Sequence, residues 1–394
     1  MITVVGMDGS ALSPQAQATL SKATLVVGGY RHLAGVALPA GAATVAVGAI
    51  GPALDSLASH TGDAVVLASG DPGFFGVVRA LRERGLTYQV HPAVSSVAMA
   101  FARAGLPWDD AMVTSAHGRD LRPALNVCRA FPKVAVFTGP GAGPAEVGAG
   151  LAGWDRRLVV CEWLGSPRER VTECSPQDAA TRRWADPNLV LVLADADTAG
   201  AAGWLWPRPP AGEGWALPED EFGSEGAVLT KAEVRALALA RLAPGPGMLV
   251  TDVGAGAGTV AVECARLGAA VIAVERDAAR CELIRANAAR HGVDVRVVSG
   301  EAPAALEKLP GPNAAFVGGG GTGVLQAVTA LRPRRVVTAL AAVERAGQAI
   351  AALTDAGYTT DGAMVYAARL APLPGAVHRL NGTNPVFLVW GRLP

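Results

Sequence analysis

"TDVGAGAGTV", residues 251–260, decides the fold of the second half of this chain. Residues 248–253, "MLVTDV", read as a short buried strand, and Thr259 opens a stretch of helical period. Between them Gly254, Gly256 and Gly258 stand at alternate positions. A turn of this kind lets backbone approach a ligand closely, with a helix N-terminus just behind it. Glu275 closes the next strand, "AVIAVE" (270–275), twenty-one residues after Gly254. An acid there can accept both hydroxyls of a ribose.

A nicotinamide dinucleotide and S-adenosylmethionine (SAM) fit that much equally well. Two details separate them. The dinucleotide fingerprint is G-x-G-x-x-G/A, and its third place is held here by Thr259. The run is instead D-x-G-x-G-x-G, and Asp252 puts a carboxylate where SAM carries an ammonium and a sulfonium. A pyrophosphate would be repelled there. SAM is the better ligand for this loop.

Outward from the loop the pattern repeats. "DVRVVS" (294–299), "NAAFVG" (313–318) and "RRVVTAL" (334–340) are further short apolar strands. Helical stretches separate them, one of them closed by Gly292. Such alternation predicts right-handed βαβ units around a parallel sheet. "GAMVYAARL" (362–370) and "NPVFLVWG" (384–391) lack a helix between them and predict an antiparallel pair at the sheet edge.

Upstream, residues 203–226 hold a Pro-Pro pair, many glycines and an acidic cluster, with no helical or strand period. They read as a linker with one docked aromatic. The domain expectation is therefore 1–202, a linker over 203–226, and 227–394. The first block also alternates strands ("ITVVG", "ATLVVG", "AVVLAS", "KVAVFT", "RLVVCEW", "NLVLVLA") with helices, and Ser13 followed by Pro14 starts the first of these. "GLPWDD" (105–110) reads as a hinge between two subdomains. No internal repeat relates the blocks.

Composition narrows the function classes. The formal net charge is zero, and no run of five basic residues supports nucleic-acid binding. Four lysines against thirty arginines fit either a GC-rich genome or a polyanionic small substrate. The five cysteines form no C-x-x-C pair, so a reduced, cytoplasmic protein without structural zinc, and with no metal site, is the expectation. No apolar stretch reaches the roughly 18 residues of a membrane span.

The loop at 252–258 resembles motif I of the class I SAM-dependent methyltransferases. Together with "LTKAEVRALALARL" (229–242), "SGEAPAAL" (299–306) and "FVGGGG" (316–321), the segment 225–394 resembles the precorrin C15-methyltransferase (decarboxylating) family of cobalamin biosynthesis. That resemblance implies that Thr230 and Ala302 join Asp252, Gly254, Gly256, Gly258 and Glu275 around SAM. Thr230, with Glu233 three residues on, also reads as a capping box. "GGGG" (318–321) stands where amino-methylating enzymes carry an Asn/Asp-Pro-Pro motif, so Gly319 and Gly320 are expected to wall a large flat substrate.

A second glycine loop, "ASGDPGFFG" (68–76), is a turn built on Asp71 and Pro72 and by itself a weak signal. Its neighbours strengthen it. "VVGMDG" (4–9), "HPAVSSVAMAF" (91–101), "SAHGR" (115–119), "VFTGP" (136–140) and "CEWLGSPRERV" (161–171) follow in the order of the tetrapyrrole methylase family, which residues 1–200 resemble. "PAVSS" departs from the usual Pro-Gly-x-Ser, and "GMDG" is shorter than the common Gly-x-Gly-Pro-Gly. The resemblance implies a SAM pocket lined by Gly70, Asp71, Phe74, Ser95, Ser96, Thr138 and Gly165. It sets His117 and Arg119 in the substrate trough, though His117 also reads as an idle loop histidine. The other five histidines (32, 60, 91, 291, 378) read as core or surface residues.

The fold class implied is α/β: a tetrapyrrole methylase fold of two α/β subdomains, then a class I Rossmann-like methyltransferase domain. Together the halves resemble the fused precorrin C5,15-methyltransferases (decarboxylating). That family implies two SAM per chain, a tetrapyrrole substrate (precorrin-6B), methylation at C5 and C15, loss of the C12 acetate carboxyl, and a homo-oligomer. A fused methyltransferase pair acting on another substrate, and a non-enzymatic SAM sensor, are the rival readings.

Overall fold

The computed structural model describes residues 1–48, 50–194, 214–224, 226 and 229–394. The chain divides into two compact units, Met1–Arg119 with Lys133–Ala202, and Asp120–Pro132 with Gly203–Pro394.

The first unit holds two five-stranded sheets. β1 (Ile2–Met7), β2 (Leu25–Gly28), β3 (Ala43–Ala46), β4 (Ala64–Ser69) and β5 (Tyr88–His91) form an all-parallel sheet in the order β3-β2-β4-β1-β5. Its central strands β1, β2 and β4 are continuous apolar runs, as a sheet covered on both faces requires. β6 (Met112–Ser115), β7 (Lys133–Phe137), β8 (Arg156–Glu162), β9 (Arg170–Cys174) and β10 (Asn188–Ala194) form a mixed sheet in the order β6-β7-β10-β8-β9. The chain passes from one sheet to the other through 105–111, where the hinge is expected. Ser13 caps the first helix by accepting from Ala16 N–H at 3.2 Å, and Pro14 follows it.

In the second unit β11 (Leu249–Val253), β12 (Ala270–Glu275), β13 (Arg296–Ser299), β14 (Ala314–Val317) and β15 (Arg335–Leu340) are parallel. β16 (Thr359–Val365), β17 (Ala368–Leu373), β18 (Val377–Gly382) and β19 (Val386–Arg392) complete the chain. The sheet runs β13-β12-β11-β14-β15-β19-β16, with β19 antiparallel to both neighbours. The expected edge pair is thus present, but 362–370 is not one strand. It divides between β16 and β17, and β17 pairs with β18 in a separate hairpin.

Of the expected linker, residues 203–213 and 225 lie outside the described residues. Residues 214–224 are seated on the second unit. Phe222 is buried in its core under the Arg235 guanidinium, 4.9 Å from the ring centroid. Arg235 and Glu263, wholly buried, form an ion pair. This pair draws most of its remaining partners from the same segment: Ala216 and Leu217 N–H donate to Glu263, and Leu217 C=O accepts from Arg235. Glu219 and Glu233 together grip Arg369 of β17 at 2.7–2.9 Å. That guanidinium holds the Glu219 carboxyl down at about 2. Among the described residues no helix is long and apolar enough to cross a membrane.

Candidate functional site

In the second unit the strand order reverses between β11 and β14, and their carboxyl ends open a crevice there. Gly254 (φ 71°) leaves β11, and a Cβ on it would lie 3.3 Å from the Gly319 nitrogen. The two glycine runs therefore meet backbone to backbone. A cleft of about 250 Å³ is lined by Gly254, Glu275, Ala302, Gly319 and Gly320, so five of the expected residues come together. Glu275 fastens this wall. Its Oε2 accepts from Gly256 N–H at 2.9 Å, and its Oε1 accepts from Arg276 and Asp277 N–H at 2.9 and 3.0 Å. A cofactor ribose is suited to the carboxylate that such bonds hold still at the cleft's lining.

Asp252 lies behind the wall rather than in it. It is 1% exposed, and its Oδ2 accepts from Ala261 N–H at 3.0 Å, holding the helix Thr259–Arg266 against β11. Burial raises its carboxyl to about 7. Gly258 (φ 77°) serves packing, because a Cβ there would press on Ile284 at 2.9 Å. Gly256 (φ 58°) gives its N–H to Glu275. Thr230 precedes the helix Ala232–Leu242, and its carbonyl accepts from Arg235. The expected capping box with Glu233 is not formed. Lys231 is the N-cap residue, Ala232 N–H donates to Glu219 at 3.0 Å, and Glu233 is drawn to Arg369. A charge-assisted carboxylate–guanidinium fork is the stronger bond.

The first unit gathers its expected residues from both sheets. Gly70 (φ 57°) follows β4, and a Cβ on it would lie 3.2 Å from Ser96 N and 3.4 Å from Ser95 Cα. Ser95 caps the helix Ser96–Ala104 by accepting from Ala98 N–H at 3.1 Å. Asp71 fixes its own turn by accepting from Gly73 N–H at 2.8 Å. Gly165 (φ 74°) and Gly9 (φ 91°) touch so closely that a Cβ on either would overlap the other's loop. On the mixed sheet the Thr138 hydroxyl donates to Asn188, and the Thr138 carbonyl faces His117 Nδ1 at 2.9 Å. Phe74 and Phe75 both meet the Phe137 ring, at 6.0 and 5.5 Å. Arg119 lies 5.9 Å over Phe75. His117 is thus no idle loop residue but a brace on the Thr138 backbone.

Other residues beside these loops are not singled out from the sequence. Asp8 joins β1 to the turn before Ser95: its Oδ2 accepts from Val94 N–H at 3.2 Å, and the Ser10 hydroxyl holds its carboxyl below the ordinary range. Phe75, exposed and at φ 53°, is the ring that meets Arg119. Arg31 and His32 both reach Ser69 at the end of β4, at 2.7 and 3.0 Å. Burial pushes the His32 imidazole down to about 4.

Comparison with known proteins bears on both units. Residues 2–180 match the tetrapyrrole (corrin/porphyrin) methylases, and residues 220–388 match the precorrin methyltransferase domain. The chain is 38% identical to a precorrin-6Y C(5,15)-methyltransferase [decarboxylating] of Sinorhizobium, over 83% of this chain and 80% of the relative. It is 36% identical to a probable cobalt-precorrin-6B C(15)-methyltransferase (decarboxylating) of Pyrobaculum aerophilum, over 47% of this chain and 97% of that one. It is 34% identical to a cobalt-precorrin-7 C(5)-methyltransferase of Salmonella typhimurium, over 49% of this chain and 98% of that one.

Proposed function

The chain belongs to the precorrin-6Y C(5,15)-methyltransferase (decarboxylating) family of cobalamin biosynthesis, and from that membership we propose a division of labour between its domains. Residues 1–202 methylate C5 of the tetrapyrrole. Residues 227–394, after the segment 203–226, methylate C15 and release the C12 acetate carboxyl as CO2, so that precorrin-6B becomes precorrin-8. Relatives of single-domain length named for one activity each support that assignment.

SAM is the methyl donor, and the proposal is one SAM in each domain. The carrying observation is the glycine-walled cleft with Glu275 at the carboxyl ends of β11, β12 and β14. Bound there, SAM supplies a methyl group already activated by sulfonium charge. The chain's own task is alignment and exclusion of water, which supply most of the rate in such a displacement. Glu275 receives the ribose hydroxyls, Gly254 and Ala302 admit the cofactor to the backbone, and Gly319 and Gly320 let a flat acceptor approach. Asp252 acts through Ala261, keeping the helix behind the loop in place. Decarboxylation needs the electron sink created beside C15, so both events share this domain. In the first unit Gly70, Asp71, Phe74, Ser95, Ser96, Thr138 and Gly165 hold the other SAM, while His117 and Arg119 face the substrate.

A homo-oligomer completes the reading. Leu370 and Leu380, cross-strand partners on the β17–β18 hairpin, are 71% and 69% exposed, a surface suited to a second copy. The deciding experiment incubates the enzyme with precorrin-6B and SAM and follows mass. Two added methyl groups and one CO2 per substrate are expected. One methyl group without CO2 overturns the assignment. Calorimetry should return close to two SAM per chain.

A further inference from the structure

A second cavity, of about 420 Å³, opens at the carboxyl ends of β14 and β15. Gly318 and Gly319 line both this cavity and the 250 Å³ cleft, so a ribbon of bare backbone stands between the two. A Cβ on Gly319 would meet nothing within 4 Å, whereas one on Gly318 would press on the Gly254 carbonyl at 3.0 Å. The lining beyond the ribbon is divided. Leu325, Leu340 and Ala349 give an apolar flank, and Thr322, Arg345 and Gln348 a polar one. Arg345 stands in the first turn of the helix Val343–Asp355 with no salt bridge among the described residues. The Thr338 hydroxyl, by contrast, is already committed to the Val317 carbonyl at 3.0 Å.

We propose that this cavity is the acceptor pocket of the second domain, and that Arg345, with Gln348 and Thr322 beside it, recognises a peripheral carboxylate of the tetrapyrrole. The inference rests on the C15-methyltransferase reading and adds the specificity group that reading lacks. A guanidinium fork matches a carboxylate in two parallel bonds. An apolar flank opposite suits the face of a macrocycle, and the volume takes one ring edge rather than the whole ligand. With the carboxylate held at Arg345, that edge lies along the glycine ribbon. No side chain at 318 or 319 keeps the acceptor from the methyl donor on the other side.

The test compares full-length wild type with Arg345→Ala and Arg345→Lys. Absorbance titration with the reduced tetrapyrrole, without SAM, reads acceptor affinity. Calorimetry reads SAM affinity, and mass spectrometry reads methylation at C15 and C5 separately. Arg345→Ala should raise the acceptor KM of the C15 step about 10-fold or more with kcat little changed, the loss expected for a bond to a charged group. SAM affinity and C5 methylation should stay as in wild type, and Arg345→Lys should recover part of the loss. An unchanged KM and affinity in Arg345→Ala, with wild type active at C15, overturns the pocket and leaves the assignment standing. A wild type that methylates no C15 overturns the assignment itself.

Discussion

The two units bring glycine loops to the carboxyl ends of parallel strands, yet they build around them by opposite means. In the second unit the cleft wall is backbone from two adjacent strands, and one carboxylate, Glu275, secures the loop through Gly256 N–H while Arg276 and Asp277 N–H fix its own position. In the first unit the expected residues come from two sheets, and several are already engaged elsewhere: Ser95 as a cap, Asp71 in its own turn, Thr138 with Asn188 across the fold. A site hung on one acid is open to a single damaging substitution. A site assembled from many small contacts yields by degrees.

That contrast can be broken most severely by cutting the chain. A fragment of residues 203–394 keeps Leu217, Glu219 and Phe222, whereas a fragment beginning at Ser224 strips them from Arg235 and Glu263, which are 0% and 1% exposed. Leaving a buried charged group without one of its hydrogen-bond partners costs about 1–3 kcal/mol or more for each bond lost. The shorter fragment should therefore fail to give a cooperative melt while the longer one gives it, as circular dichroism would show. Equal melts would mean that 214–224 adds nothing.

Glu275→Ala comes next. Bonds to a charged group are worth about 1.5–3 kcal/mol each. The expected result is a 10- to 100-fold loss of SAM affinity at one of two calorimetric sites, with C15 methylation lost and C5 methylation kept. Asp71→Ala removes one bond to a carboxylate in an exposed turn, and the low end of the same range, about 1.5 kcal/mol, predicts roughly a tenfold slowing of C5 methylation with CO2 release untouched. If both substitutions silence the same methyl group, the division between units fails.

The smallest net effect, in which two shifts of opposite sign offset one another, sharpens the comparison through pH. The His32 imidazole sits at about 4 against an ordinary 6.5, so its share of stability is present above 6.5 and lost as pH falls toward 4. The Asp252 carboxyl sits at about 7 against 3.8, so its share is full below 3.8 and lost as pH rises through 7. Between pH 7 and 5 the two units should thus respond in opposite directions. His32→Gln should lessen the acid loss. Asp252→Asn, which keeps an oxygen for Ala261 N–H, should abolish the acid gain. Calorimetric scans at both pH values check this, and slopes identical to wild type in both variants refute it.

What sequence could tell follows from how local each feature is. In the second unit the loop at 252–258 and Glu275 were legible because they lie one βα unit apart, whereas 318–321, two strands further along the chain, was reached through the family resemblance. β3, β5, β6 and β9 escaped notice because they are short and partly exposed, with no long apolar run. The β17–β18 hairpin escaped because its apolar side chains face outward and Pro372 interrupts the strand pattern. The capping box at Thr230 was a sound local reading, defeated by Arg369 from far along the chain. In the first unit the loops could be recognised, but not the bonds from Asp8 to Val94 or from Thr138 to Asn188, which only the folded sheets create.

The hairpin carries one more consequence. Arg369 anchors its base to Glu219 and Glu233, while Leu370, Val377 and Leu380 stand clear of the domain's own core. A partner seated on such a hairpin would tie folding to mass action, because it binds only the folded chain. With a second copy covering it, as proposed above, the melting temperature should rise as the solution is made more concentrated.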